Sequence, residues 1–136
     1  MTKFEVKTRV RNQFLEITDE VRKAAAASGV TTGICVVYCP HTTAAITVNE
    51  NADPEVVHDM LLYLNAAVPK EYPGFRHGEG NSDAHIKASL VGPSVTLVVE
   101  NGDIVLGRWQ GVYFCEFDGP RTRVVTVQVS GARIVG

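Results

Sequence analysis

No stretch of the chain reaches the ~18 consecutive apolar residues that a membrane span needs, and its alternating start, Met1-Thr-Lys-Phe-Glu-Val6, lacks the apolar core of a secretory leader. A soluble, cytoplasmic protein is therefore expected. Charge of one sign is missing too: 13 Lys and Arg stand against 15 Asp and Glu, a formal net charge of −2. That balance excludes a dominant electrostatic pull toward nucleic acid or an anionic membrane. Cysteine is scarce, at 3 residues. Cys35 and Cys39 share one face of an apparent strand and would lie ~13 Å apart at roughly 3.3 Å per residue, beyond disulfide reach. Reduced thiols are the expectation. The chain has no Gly-x-x-x-x-Gly-Lys-Ser/Thr loop and no Gly-x-Ser-x-Gly elbow, which excludes a P-loop nucleotide enzyme and argues against an α/β-hydrolase. Repeats, low-complexity runs and linkers are absent, and 136 residues fit one domain, 1–136.

What is present alternates between strand and helix patterns. Lys3–Arg9 and Gln13–Thr18 read as strands joined at an Arg11-Asn12 hairpin turn. Thr18 or Asp19 caps an alanine-rich helix that Gly29 ends. Thr31–Cys39 is apolar on both alternating faces and reads as a central strand covered on both sides. Ala44–Val48 is a further strand. Asp53-Pro54-Glu55 starts a helix with a cap residue, a proline at the first helical position and an acid after it. Lys70–Asn81 is a long polar, glycine-bearing loop, a frequent carrier of function. Asp83 reads as the cap of a short helix, Ala84–Leu90, stopped by Gly92. A four-strand antiparallel meander closes the chain, with Asn101-Gly102 turning Ser94–Glu100 into Ile104–Trp109. The sum is an α+β fold, a mostly antiparallel, sandwich-like sheet carrying two or three helices.

Chemistry concentrates in three groups. His41 follows the central strand, His77 sits in the long loop, and His85 lies in a first helical turn, where the positive helix end disfavours imidazolium. Their convergence would make a facial metal centre with an open position, zinc by ligand type. The alternative is that one is exposed, one hydrogen-bonded and one catalytic without metal. His58 reads as a solvated helix residue. Glu116 lies in a strand apolar on both sides, so it needs a partner, Arg121 or Arg123, or it protonates. It reads equally as a structural ion pair or as an acid–base group, and Glu50 as lining the same cavity or merely preceding a helix cap. Thr42, Thr43, Lys87, Ser89, Arg121 and Arg123 are donors at turns or on the short helix, suited to an anion such as phosphate. Trp109 reads as a core or subunit-contact residue more than a stacking platform.

Four motifs, in order, carry a resemblance that covers essentially the whole chain: His41-Thr-Thr-Ala-Ala-Ile-Thr-Val-Asn-Glu50, Gly80-Asn-Ser-Asp-Ala-His-Ile-Lys-Ala-Ser-Leu-Val-Gly92, Leu106-Gly-Arg-Trp-Gln110 and Glu116-Phe-Asp-Gly-Pro-Arg-Thr-Arg123. They resemble the YjbQ family, described as secondary thiamine-phosphate synthases. The resemblance implies a jelly-roll-like β-sandwich and a homotrimer with sites near subunit boundaries. It implies a low-rate transferase activity, joining a hydroxymethylpyrimidine diphosphate to a thiazole phosphate with release of diphosphate. Carried over by motif, its site residues are His41, Thr42, Asn49, Glu50, His77, Asn81, Asp83, His85, Lys87 and Glu116. Here Ser82-Asp83 occupies a place where the family often has a second polar residue. In such a site His41, His85, Glu116, Asp83 and Lys87 are the expected catalytic groups. Thr42, Thr43, Asn49, Glu50, Asn81, Ser89 and Arg121 are the expected ligand contacts. A divalent ion, zinc or magnesium, is the expected cofactor, held by His41, His77 and His85. The other readings are metal-assisted hydrolysis of a phosphorylated or cyclic metabolite, and a non-enzymatic trimer that binds a small anion.

Overall fold

Strands that alternate between two sheets place the site at one end of a sandwich. The structure is a computed structural model, and it describes residues 1–133. In chain order the elements are β1 (Thr2–Lys7), β2 (Gln13–Glu16), α1 (Thr18–Ser28), β3 (Val30–Tyr38), β4 (Ala44–Glu50), α2 (Pro54–Ala67), α3 (Ser82–Val91), β5 (Ser94–Glu100), β6 (Asp103–Ile104), β7 (Gln110–Glu116) and β8 (Thr122–Arg133). One sheet runs β1-β8-β3-β5-β6 and the other β2-β7-β4, with every pairing antiparallel. Cys35, Val37, Leu97, Val99, Val125 and Val127 of the large sheet bury against Ile46, Val112 and Phe114 of the small one, with α1 closing the same core. The outer face of the small sheet, through Ala45, Tyr113 and Cys115, packs on Ala84 and Ala88 of α3. The α+β, mostly antiparallel sandwich with three helices is thus the observed architecture.

Several local expectations change. The Arg11-Asn12 segment is no hairpin: β1 pairs with β8 while β2 pairs with β7, so the chain crosses between sheets there. Nor is there a terminal meander, because β5, β7 and β8 pair with β3, β4 and β1 rather than with one another. The second arm of the Asn101-Gly102 hairpin shrinks to two paired residues, β6. The strand covered on both faces is β7, buried from Gly111 to Glu116, and not β3. Ile34 and Tyr38 of β3 are 48% and 44% exposed. The helical layer covers the small sheet instead, which leaves that face of the large sheet open. Gly33 of β3 faces Gly131 of β8, and a Cβ on either would run into the backbone of the opposite strand.

Helix starts divide in the same way. Asp53 caps α2 as expected, accepting the Glu55 N–H at 2.9 Å. Thr18 and Asp19 lie inside α1, which starts after Ile17. The Thr18 hydroxyl donates to Glu16 and accepts the Val112 N–H at 2.9 Å, tying α1 to β7. Asn81, not Asp83, precedes the first turn of α3. None of α2 is fully buried; with Phe14, Thr47 and Val91 it frames an apolar cleft of about 520 Å³. No helix among the described residues is long and apolar enough to cross a membrane.

Candidate functional site

The connection from β3 to β4, the turn from β7 to β8 and the start of α3 meet around a polar pocket of about 300 Å³. Pro40 ends β3 and turns His41, Thr42 and Thr43 into it. The Asp118–Arg121 turn supplies Asp118 and Arg121, the first residues of β8 supply Arg123, the loop before α3 supplies Glu79 and Asn81, and α3 supplies His85.

Hydrogen bonds fix what each group offers. His41 Nε2 accepts the Val124 backbone N–H at 2.9 Å, so the proton of its neutral ring sits on Nδ1. Burial and the nearby Arg123 guanidinium hold this ring below the usual imidazole range. His41 is thereby a fixed N–H donor rather than a base. His85 makes no side-chain hydrogen bond among the described residues, which leaves both of its ring nitrogens for proton transfer. Arg123 donates through Nε and Nη2 to Glu116, and through Nη2 to Thr43. Arg121 is held by Asp118, donating through Nε to its backbone carbonyl at 2.8 Å and through Nη2 to its carboxylate at 3.0 Å. In both guanidiniums Nη1 has no protein partner among the described residues. Asn81 donates its amide N–H to Asp118 at 2.8 Å, and its buried Oδ1 has no partner among the described residues.

Other expected residues lie elsewhere. Glu116 is fully buried behind Arg123 and also accepts from Thr8 at 2.8 Å. Burial alone would raise its carboxyl; the Arg123 pair, the Asp118 N–H and the Thr8 hydroxyl outweigh that and hold it below the usual range. Of the two partners expected for it, Arg123 is the one. Asp83 and Lys87 form a second buried network with Arg11, Asn12 and Asn65. Burial pushes the Lys87 ammonium down, and all three of its protons have acceptors, so it presents none to the pocket. Asn49 and Glu50 end β4 about five residues, or roughly 17 Å, beyond Ala44, where Asn49 Oδ1 takes the Glu50 N–H and Glu50 the Asp53 N–H. Ser89 donates to the His85 carbonyl at 2.9 Å. Trp109 is exposed, with Arg108 over its ring, and His58 is exposed beside Asp59.

The model of the family described as UPF0047 protein YjbQ-like matches residues 2–132. The chain belongs to the YjbQ/UPF0047 family. YugU of Bacillus subtilis is 50% identical over 127 residues, covering 93% of this chain and 96% of its own. A YjbQ/UPF0047-family protein of Clostridium acetobutylicum, known from its crystal structure, is 52% identical with a TM-score of 0.93, over 96% of this chain and 100% of that one. A Thermus thermophilus protein is 43% identical with a TM-score of 0.87, again over 96% and 100%.

Among the described residues, His41, His77 and His85 are not gathered into the expected facial set. Among the described residues no group of three or more His, Cys, Asp or Glu is placed to hold a metal ion. The physical reason at His41 is that Val124 occupies the nitrogen a metal would need. His77 and His85 do approach, edge to face at 5.3 Å between ring centroids, with Glu79 3.7 Å from His77. Asp118 and Thr8 carry no site signal in the sequence, one lying in a turn and the other in a half-buried strand pattern, and only the fold sets them against Asn81, Arg121 and Glu116.

Proposed function

We propose that this YjbQ-family chain is a thiamine-phosphate synthase-like transferase, acting at low rate in a pocket that holds small phosphorylated metabolites. One observation carries the reading: Arg121, Arg123, Thr42 and the His41 ring, beside the carboxylates Glu79 and Asp118, line the same small pocket as an uncommitted imidazole, His85. In the transfer, the C–O bond to the diphosphate breaks and its electron pair leaves with the diphosphate. The thiazole nitrogen then donates its pair to form the new N–C bond. Preorganised donors stabilise the charge that builds on the leaving group, and His85 supplies a proton to it. Chain assembly as a homotrimer belongs to the same proposal, supported by the open face of the large sheet around Ile34, Tyr38 and Val98.

Thiamine phosphate formation by the wild type and by His85→Ala, with metal content measured on each sample, tests this. Product above a no-enzyme blank is expected, falling about 10²-fold or more in the variant. No product from the wild type sinks the synthase reading. A second reading, metal-assisted hydrolysis, has its own observation in the His77–His85 approach. It predicts zinc in protein purified without chelator, lost in His77→Ala.

A further inference from the structure

The polar pocket has a neighbour. A second cavity of about 300 Å³ shares His41, Thr42 and His85 with it. Beyond those three residues the walls differ in kind. The first has Arg121 and Arg123, the carboxylates Glu79 and Asp118, and Asn81, Thr43 and Pro40. The second has Ala44, Ala88, Pro93 and Ser89, with no charged side chain. Ser89 commits its hydroxyl proton to the His85 carbonyl, so it offers an incoming group no free donor. A charged group placed there would lose water and gain no partner. Each cavity alone lies at the small end of the range for small-molecule sites.

Resting on the reading of the polar pocket as a phosphate site, we infer that the two cavities are lobes of one site, and that its ligand is a two-part molecule. Its phosphate meets Arg121 and Arg123. Its compact, uncharged body, a single ring in size, enters the lobe of Ala44, Ala88 and Pro93. The junction between the parts falls at His41 and His85, where the donor and the free imidazole are. Inorganic phosphate fills one lobe only, and a longer polyphosphate gains nothing from the second.

Calorimetric titration with inorganic phosphate and with phenyl phosphate tests this without reference to turnover. The wild type is expected to bind phenyl phosphate at least ten-fold more tightly than phosphate. Ser89→Phe, made at an exposed position on the rim of the second lobe, removes that preference and leaves phosphate affinity unchanged. Ala88→Val, checked for folding by its thermal melt, does the same from the buried side. Arg121→Ala weakens both probes by a similar factor. Equal affinity for the two probes, no binding of either, or a preference that survives in both lobe variants overturns the two-lobed site. Absent thiamine phosphate formation alongside an intact phenyl phosphate preference removes the synthase reading alone.

Discussion

At the scale of single residues, His41 shows how a backbone contact decides a side chain's chemistry. Its place after Pro40 marks it as a site residue in the sequence, but not its tautomer, which depends on Val124, 83 positions further on. Long-range proton–nitrogen NMR of the labelled imidazoles is expected to find the proton of His41 on Nδ1 at neutral pH. The ring titrates below the ordinary imidazole range, because burial and Arg123 disfavour its charged form. Observation of the Nε2–H form would remove the Val124 bond and with it the donor role. The same limit explains Lys87 and Asp83. Their spacing puts them on one helical face, as the sequence indicates, but only the fold supplies Arg11, Asn12 and Asn65 to satisfy them internally.

At the scale of elements, the Glu116–Arg123 pair joins the two sheets, since Glu116 ends β7 and Arg123 opens β8. The need for a partner was legible, because a carboxylate in an apolar strand cannot stay charged alone. Glu116→Gln leaves Arg123 buried without its counter-charge and is expected to cost about 3–5 kcal/mol in urea unfolding. The pH dependence has a definite sign. With its folded pKa held below the unfolded value, Glu116 contributes its stability above about pH 4.3 and loses it as pH falls through the lower, folded value. The gap between wild type and variant therefore narrows in acid; a gap that widens there contradicts the pairing. Elements with strong local signals, such as the Asp53 cap or the Asn101-Gly102 turn with φ of 53° and 76°, were readable from the chain. Strand partners were not. Alternation specifies a strand and its faces but not which strand lies beside it, so the hairpin and the meander gave way to pairings across the sandwich.

At the scale of the whole molecule, the apolar side chains left open include Ile34 and Val98 on the outer face of the large sheet and Leu62 and Tyr63 on α2. Exposed patches of this kind mark contact surfaces. Light scattering after size exclusion is expected to give three times the chain mass, and Ile34→Lys to reduce it to that of the single chain. A monomeric wild type contradicts the trimer. The polar pocket itself is closed by segments far apart in the chain: His41 meets Val124, Thr43 meets Arg123, and Asn81 meets Asp118. Among the described elements β8 comes last in chain order, so the helices and earlier strands are made before Arg123 and Val124 can reach Thr43 and His41. The pocket wall made by Arg123 and Val124 forms only when β8 pairs between β1 and β3, so a chain cut before β8 is expected to lack that wall.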